Sequence, residues 1–176
     1  METTPKSLLA FVARFALVLM ALQLAWGQAR GTAIERAVID KATVGATVGL
    51  IHLLRPELPV HGQGSRIVAP GGGLNVLNGC EGTEALFLLF AALAAGRMSM
   101  RARLAGCLLG TAWIFALNQL RLIGLFFTYR QDRALFDQLH GLIAPLLLVA
   151  LVLLFFLELL RWDARRSAVA LPGAED

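Results

Sequence analysis

Charge is scarce in this sequence: 16% of its 176 residues are Asp, Glu, Lys or Arg, where soluble domains carry about 25%. Combined with 57% hydrophobic residues and a mean hydropathy of +0.69, that shortage excludes a soluble globular domain, and the hydrophobicity excludes an intrinsically disordered chain. Cysteine is scarcer still. Cys80 and Cys107 are the only two, too few for a disulfide framework. The 17 glycines follow no triplet period, which excludes a collagen-like helix. Gly71-Gly72-Gly73 lacks the Lys-Ser/Thr that a phosphate loop needs, and reads as a flexible turn. His52 and His61 lack ligand spacing to any Cys or acid, so we expect no metal, and no cofactor. The net charge of +4 and pI near 9.8 arise from cations that flank apolar runs, which indicates membrane topology and no nucleic-acid partner.

What the sequence has in abundance is apolar runs. At 19.0 kDa the chain has room for one domain, and we expect a single all-α membrane domain over residues 1–176. Its spans are expected near 7–26, 80–96, 104–129 and 140–160. Each is close to the 20 or so residues that cross a bilayer core. The first has a cleaved signal peptide as its rival reading, with Lys6 and Arg14 as a basic front and Gly27-Gln28-Ala29 as a small-x-small site. Within Ala33–Leu54 only Ala42–Leu53 is free of charges apart from His52. That is too short to span, so an interfacial or partly buried helix is expected within an exported segment, 27–79. Arginines crowd Arg97–Arg103 and Arg161–Arg166, and the positive-inside rule makes both cytoplasmic, as it does both termini and the tail 161–176. Trp26, Tyr129 and Trp162 fall near the interfaces.

Arg121 does not belong in an apolar helix, where a central arginine costs about 2.5–3.5 kcal/mol. Asn118, three residues earlier on the same face, makes it part of a polar stripe. Counting about 1.5 Å per residue from the cytoplasmic arginines puts Cys80, Arg121 and His140 at about 26, 27 and 32 Å, one layer near the exported face. Cys107 lies roughly 20 Å away in depth and reads as a buried apolar side chain. A cysteine at a helix N-terminus beside a guanidinium is set up as a nucleophile, with Arg121 for an oxyanion and His140 as general acid and base. Asp137 fits either orientation of the imidazole or a helix cap. Glu81 and Glu84 suit a helix start without a catalytic role.

Asn78-Gly79-Cys80-Glu81-Gly82, then Asn118-Gln119-Leu120-Arg121-Leu122, then His140 opening the last apolar helix resemble the exosortase family of bacterial membrane transpeptidases, in its compact form, over roughly Leu74–Arg161. The resemblance implies catalysis by Cys80, Arg121 and His140, with Asn118 in support by holding Arg121 or polarising the carbonyl. It implies partners that are exported proteins with a C-terminal motif, transmembrane helix and basic cluster. Cleavage would pass the new C-terminus to an acceptor, a lipid or a cell-surface glycan. It also implies a cytoplasmic (inner) membrane location with the site near the exported face. The competing readings are a non-enzymatic membrane protein whose Arg121 binds an anion or a partner helix, and a thiol redox protein, disfavoured for want of a resolving cysteine.

Overall fold

A computed structural model describes residues 5–77 and 79–169. Asn78 of the first motif and the end of the tail lie outside the described residues. Helix α1 (Pro5–Ala29) is followed by α2 (Ala33–Arg36), a π-helical stretch Ala37–Gly45 and α3 (Ala46–Leu54). Three short strands come next, β1 (His61–Gln63), β2 (Arg66–Val68) and β3 (Leu74–Asn75). They form one antiparallel sheet in the order β1-β2-β3, with Gly62 opposite Ile67 and Ile67 opposite Leu74. Helices α4 (Thr83–Ala95), α5 (Met100–Gln131) and α6 (Arg133–Gln138) lead through a π-helical turn, Leu139–Ile143, into α7 (Ala144–Val169).

The all-α membrane class holds, and the helices long enough to cross a membrane fall differently from the spans expected from sequence. The helices long and apolar enough to cross a membrane are Lys6–Ala29, Ala33–Leu54, Met100–Gln131 and Arg133–Ala168. Ala33–Leu54, expected to be too short, is a run of 22 helical residues. Glu35, Arg36, Asp40 and Lys41 do not interrupt it: the helix carries them while burying Ile39, Thr43, Val44, Thr47 and Ile51. The stretch 80–96 yields instead a 13-residue helix, about 20 Å long. Its first expected residues are taken up by the turn that carries Cys80. His140 does not open the last helix either: helix begins at Arg133, capped by Asp132, whose carboxylate accepts from Leu135 N–H at 3.0 Å. Asp137 is therefore no cap and stands exposed.

Two apolar clusters divide the length of α5. One joins Leu89 and Leu93 of α4, Ile114 of α5, and Leu148, Val152, Phe156 and Leu159 of α7. The second joins Leu122, Leu125 and Phe126, on the last third of α5, to Ile39, Val44 and Ile51 and to Ile67, Leu74 and Val76 of the sheet region. At 32 residues α5 is about 48 Å long, well over the roughly 30 Å of a bilayer core. It has length for both a helical bundle and a small helix-on-sheet layer at its C-terminal end. Helix α1 packs along α4, where Trp26 meets Phe87 edge-on at 6.5 Å. The glycine triplet is a held turn: Arg130 of α5 donates to the carbonyls of Pro70 at 2.6 Å and Gly72 at 3.3 Å. Ser99 donates to Asp163 through its N–H at 2.8 Å and its hydroxyl at 2.5 Å, which brings the two arginine-rich segments to one end of the bundle.

The bundle closes around small residues on α5. A Cβ at Gly106 would run into Leu159 and Leu93, whereas one at Gly124 would meet nothing. Gly106→Val is expected to lower stability by about 1–3 kcal/mol, the usual cost of overpacking a filled core, and Gly124→Val to leave it unchanged. Unfolding of both variants in detergent checks this.

Candidate active site

The Cys80 turn is built by three neighbours. Glu81, buried, accepts from Gly79 N–H at 2.6 Å and from the Thr83 hydroxyl at 2.7 Å, so one carboxylate satisfies both sides of the turn. Gly82 is the N-cap of α4 at φ +87°, and a Cβ there would meet the Asn118 carboxamide at 3.1 Å. Glycine is required twice over, by the left-handed backbone and by the close approach. Asn118, 1% exposed, donates from Nδ2 to the Cys80 carbonyl at 3.0 Å. Its amide thus holds the backbone of the cysteine, not the Arg121 side chain. This bond joins the two motifs, 38 residues apart in sequence.

Arg121 lies one turn beyond Asn118 on α5, half-buried, and its charge acts on the Cys80 thiol. Its Nε is buried with no hydrogen-bond partner, as are Asn118 Oδ1 and Gln119 Nε2. Leaving such a group unpaired costs about 1–3 kcal/mol, and three on one stretch of helix mark a polar layer with unused bonding capacity. Gln119 is tied on its other side: the Thr47 hydroxyl donates to Gln119 Oε1 at 2.6 Å, and both residues are buried. Sequence reading passed over Thr47 and Gln119. Gln119 sits inside the quoted motif, but its partner is 72 residues away, and no local pattern announces it. Glu81 has the sequence position of a helix-start acid, and its bridging role depends on the turn being closed.

His140 lies in the π-helical turn before α7, with its ring stacked on Phe136 at 5.3 Å. Phe136 meets Tyr129 edge-on at 5.1 Å and packs against the same apolar cluster as Cys80. His140 is half-buried and, among the described residues, its ring nitrogens have no hydrogen-bond partner. The π-turn rotates the helix locally, a feature that often accompanies functional positions. Cys107 packs instead against the bundle cluster of α4 and α7, which separates the two cysteines as expected. His52 shares a hydrogen bond of 2.7 Å with the Val60 carbonyl, and no three His, Cys, Asp or Glu gather as a metal would need among the described residues.

The thiol differs from the sequence expectation in its electrostatics. Cys80 lies in the turn ahead of α4, outside the helical span, and not at the helix N-terminus itself. Burial pushes its pKa above the ordinary thiol value; Arg121 pulls it down, and Glu81 and Glu84 push it up, without reversing the direction. The resting group is accordingly a thiol. Removing Arg121 takes away the lowering influence, so the sign is fixed. In a Cys107→Ser background, alkylation of Cys80 should titrate above the model-peptide value of about 8.5, and Arg121→Gln should raise the midpoint further. A midpoint below 8.5, or one lowered by Arg121→Gln, contradicts this electrostatic account.

Comparison with curated proteins and with solved structures gives no match to either. The family model described as transmembrane exosortase matches residues 6–159. That match takes in α1, the helix Ala33–Leu54 and the sheet as well as the three motifs, and so reaches well beyond the stretch from Leu74 that carried the sequence resemblance. With most of its length matched and its Cys80 turn closed onto the Asn118 motif, the chain belongs to the transmembrane exosortase family.

Proposed function

We propose that this protein is a membrane cysteine transpeptidase that removes C-terminal sorting tails from exported proteins and transfers them to an acceptor. The observation that supports this best is the buried, unpartnered Nε of Arg121 on a guanidinium whose charge acts on the Cys80 thiol. A nucleophile and a spare cationic donor in a poorly hydrated layer suit acyl transfer, because the donor gains most when negative charge develops on the carbonyl oxygen.

In the proposed reaction His140 accepts the Cys80 proton as Sγ attacks the scissile carbonyl, and Arg121 donates to the oxyanion. Collapse of the tetrahedral intermediate breaks the C–N bond. The imidazolium returns its proton to the leaving amine, and a thioester remains on Cys80. The acceptor nucleophile, or water, then gives its proton to His140, attacks the thioester, and regenerates the thiol. Asn118 positions the nucleophile by fixing its carbonyl, and Glu81 shapes the turn. A substrate tail consisting of a motif, an apolar helix and a basic cluster would enter the bilayer with its basic end on the side of Arg97–Arg103. Its scissile bond would then lie near Cys80.

Co-expression with an exported protein bearing such a tail tests the reading, by intact mass of the substrate. Loss of the apolar helix and basic cluster, with an adduct or a free carboxylate at the new C-terminus, is the expected result. A tail left intact on every such protein co-expressed with it would overturn it.

A further inference from the structure

The far end of the bundle carries a second polar site that the proposed reaction does not use. A cavity of about 800 Å³ opens between the start of α5 and the end of α7, lined by Arg101, Arg165 and Arg166, by Trp162, and by the acids Glu158 and Asp163. Both acids are already engaged. Asp163 accepts twice from Ser99, and Glu158 accepts from Arg161 at 2.5 Å and faces Arg165 at 3.8 Å. Arg101 has neither a hydrogen bond nor an ion pair among the described residues, and Arg166 lies over the Trp162 ring at 4.8 Å. The cavity therefore carries three arginines, Arg101, Arg165 and Arg166, from two helices, against the two acids, and of the three only Arg165 faces an acid.

We infer that this cavity binds the phosphodiester headgroup of an anionic membrane phospholipid. Guanidinium groups match phosphate oxygens in pairs, and basic pockets between membrane helices at the cytoplasmic side take anionic headgroups. The positive-inside rule assigns this arginine-rich end to that side. The apolar surroundings select a lipid over a free anion. Met100 is 67% exposed and Leu104 56%, at the rim of the same end, where acyl chains would cover them. Trp162, partly exposed, sits where aromatic side chains anchor at the headgroup level. A zwitterionic lipid brings its own cation to the arginines and is disfavoured. The site is independent of the reaction proposed above.

Native mass spectrometry of the full-length protein in detergent, with phosphatidylglycerol, phosphatidylcholine or inorganic phosphate added, tests it. Phosphatidylglycerol should be retained at least about tenfold better than phosphatidylcholine. R101Q/R166Q should cut that retention about tenfold, while R30Q, just past the C-terminal end of α1 and not part of the cavity lining, should leave it unchanged. Circular dichroism confirms that the double variant keeps its helices. Equal retention of the two lipids, unchanged retention by R101Q/R166Q, or displacement of phosphatidylglycerol by millimolar inorganic phosphate would each overturn the assignment. The last would make this a free-anion site.

Discussion

Cys80→Ala is expected to abolish tail removal, by roughly 10³-fold or more in rate, while Cys107→Ala processes its substrate at the wild-type level. A 10³-fold loss corresponds to about 4 kcal/mol of barrier, and in the proposed reaction the thiol is the group on which the acyl intermediate forms. The two cysteines are a matched pair for this purpose: both are half-buried and free, and they differ in their surroundings. Cys80 has its carbonyl held by Asn118 and lies in the field of Arg121, Glu81 and Glu84. Cys107 packs among the side chains of α4 and α7. The measurement is the fraction of substrate that keeps its C-terminal tail, by intact mass, after equal expression of each variant. Cys80→Ser keeps the shape of the turn and should be nearly as inactive, because a hydroxyl in the same apolar setting is far harder to ionise than a thiol. Wild-type processing by Cys80→Ala would end the transpeptidase reading and leave Arg121 as a binding residue, the alternative raised by its place in an apolar helix.

Arg121→Gln is the second large effect, expected at about 10²–10³-fold in rate, or about 2.7–4 kcal/mol, the range for removing one oxyanion donor. Glutamine keeps polarity and much of the length, so the loss would report on the charge and the forked donor geometry. Arg121→Lys restores charge without the fork and should recover only part of the rate. Stability should move the other way or hardly at all. The wild-type Nε is buried without a partner, so the native fold bears a desolvation cost that the substitution relieves. A variant that loses activity while melting at or above the wild-type temperature would separate a catalytic from a structural arginine. Equal losses of both would point to a structural one.

How much of this was readable in advance differs from residue to residue. The depth count placed Cys80 with Arg121 because both are counted along helices from basic ends, and helix rise is fixed by backbone geometry. The Asn118 to Cys80 hydrogen bond agrees with that count. The count failed in detail at 80–96, where hydropathy cannot tell the first turn of a helix from an apolar loop. Gly79 and Gly82, both at positive φ, set the boundary at Thr83. The sheet was invisible because strands of two or three residues are too short for alternation to register. In Ala33–Leu54 the charges along the sequence conceal Ile39, Val44 and Ile51, whose burial depends on the sheet residues Ile67, Leu74 and Val76 that the fold brings to them.

By itself, the sequence determined the membrane class, the arginine-rich end and the identity of the chemical groups. These follow from composition and local order along the chain, which solvent transfer energies and helix geometry translate directly. Tertiary structure alone decided the Thr47 to Gln119 link, the Glu81 bridge that closes the Cys80 turn, the placing of His140 on Phe136, and the direction in which the thiol is perturbed. The physical reason is that burial and pairing are set by whatever neighbours the fold brings up from distant segments. The desolvation of Cys80, which outweighs the pull of Arg121, belongs to the packed site and not to any stretch of sequence.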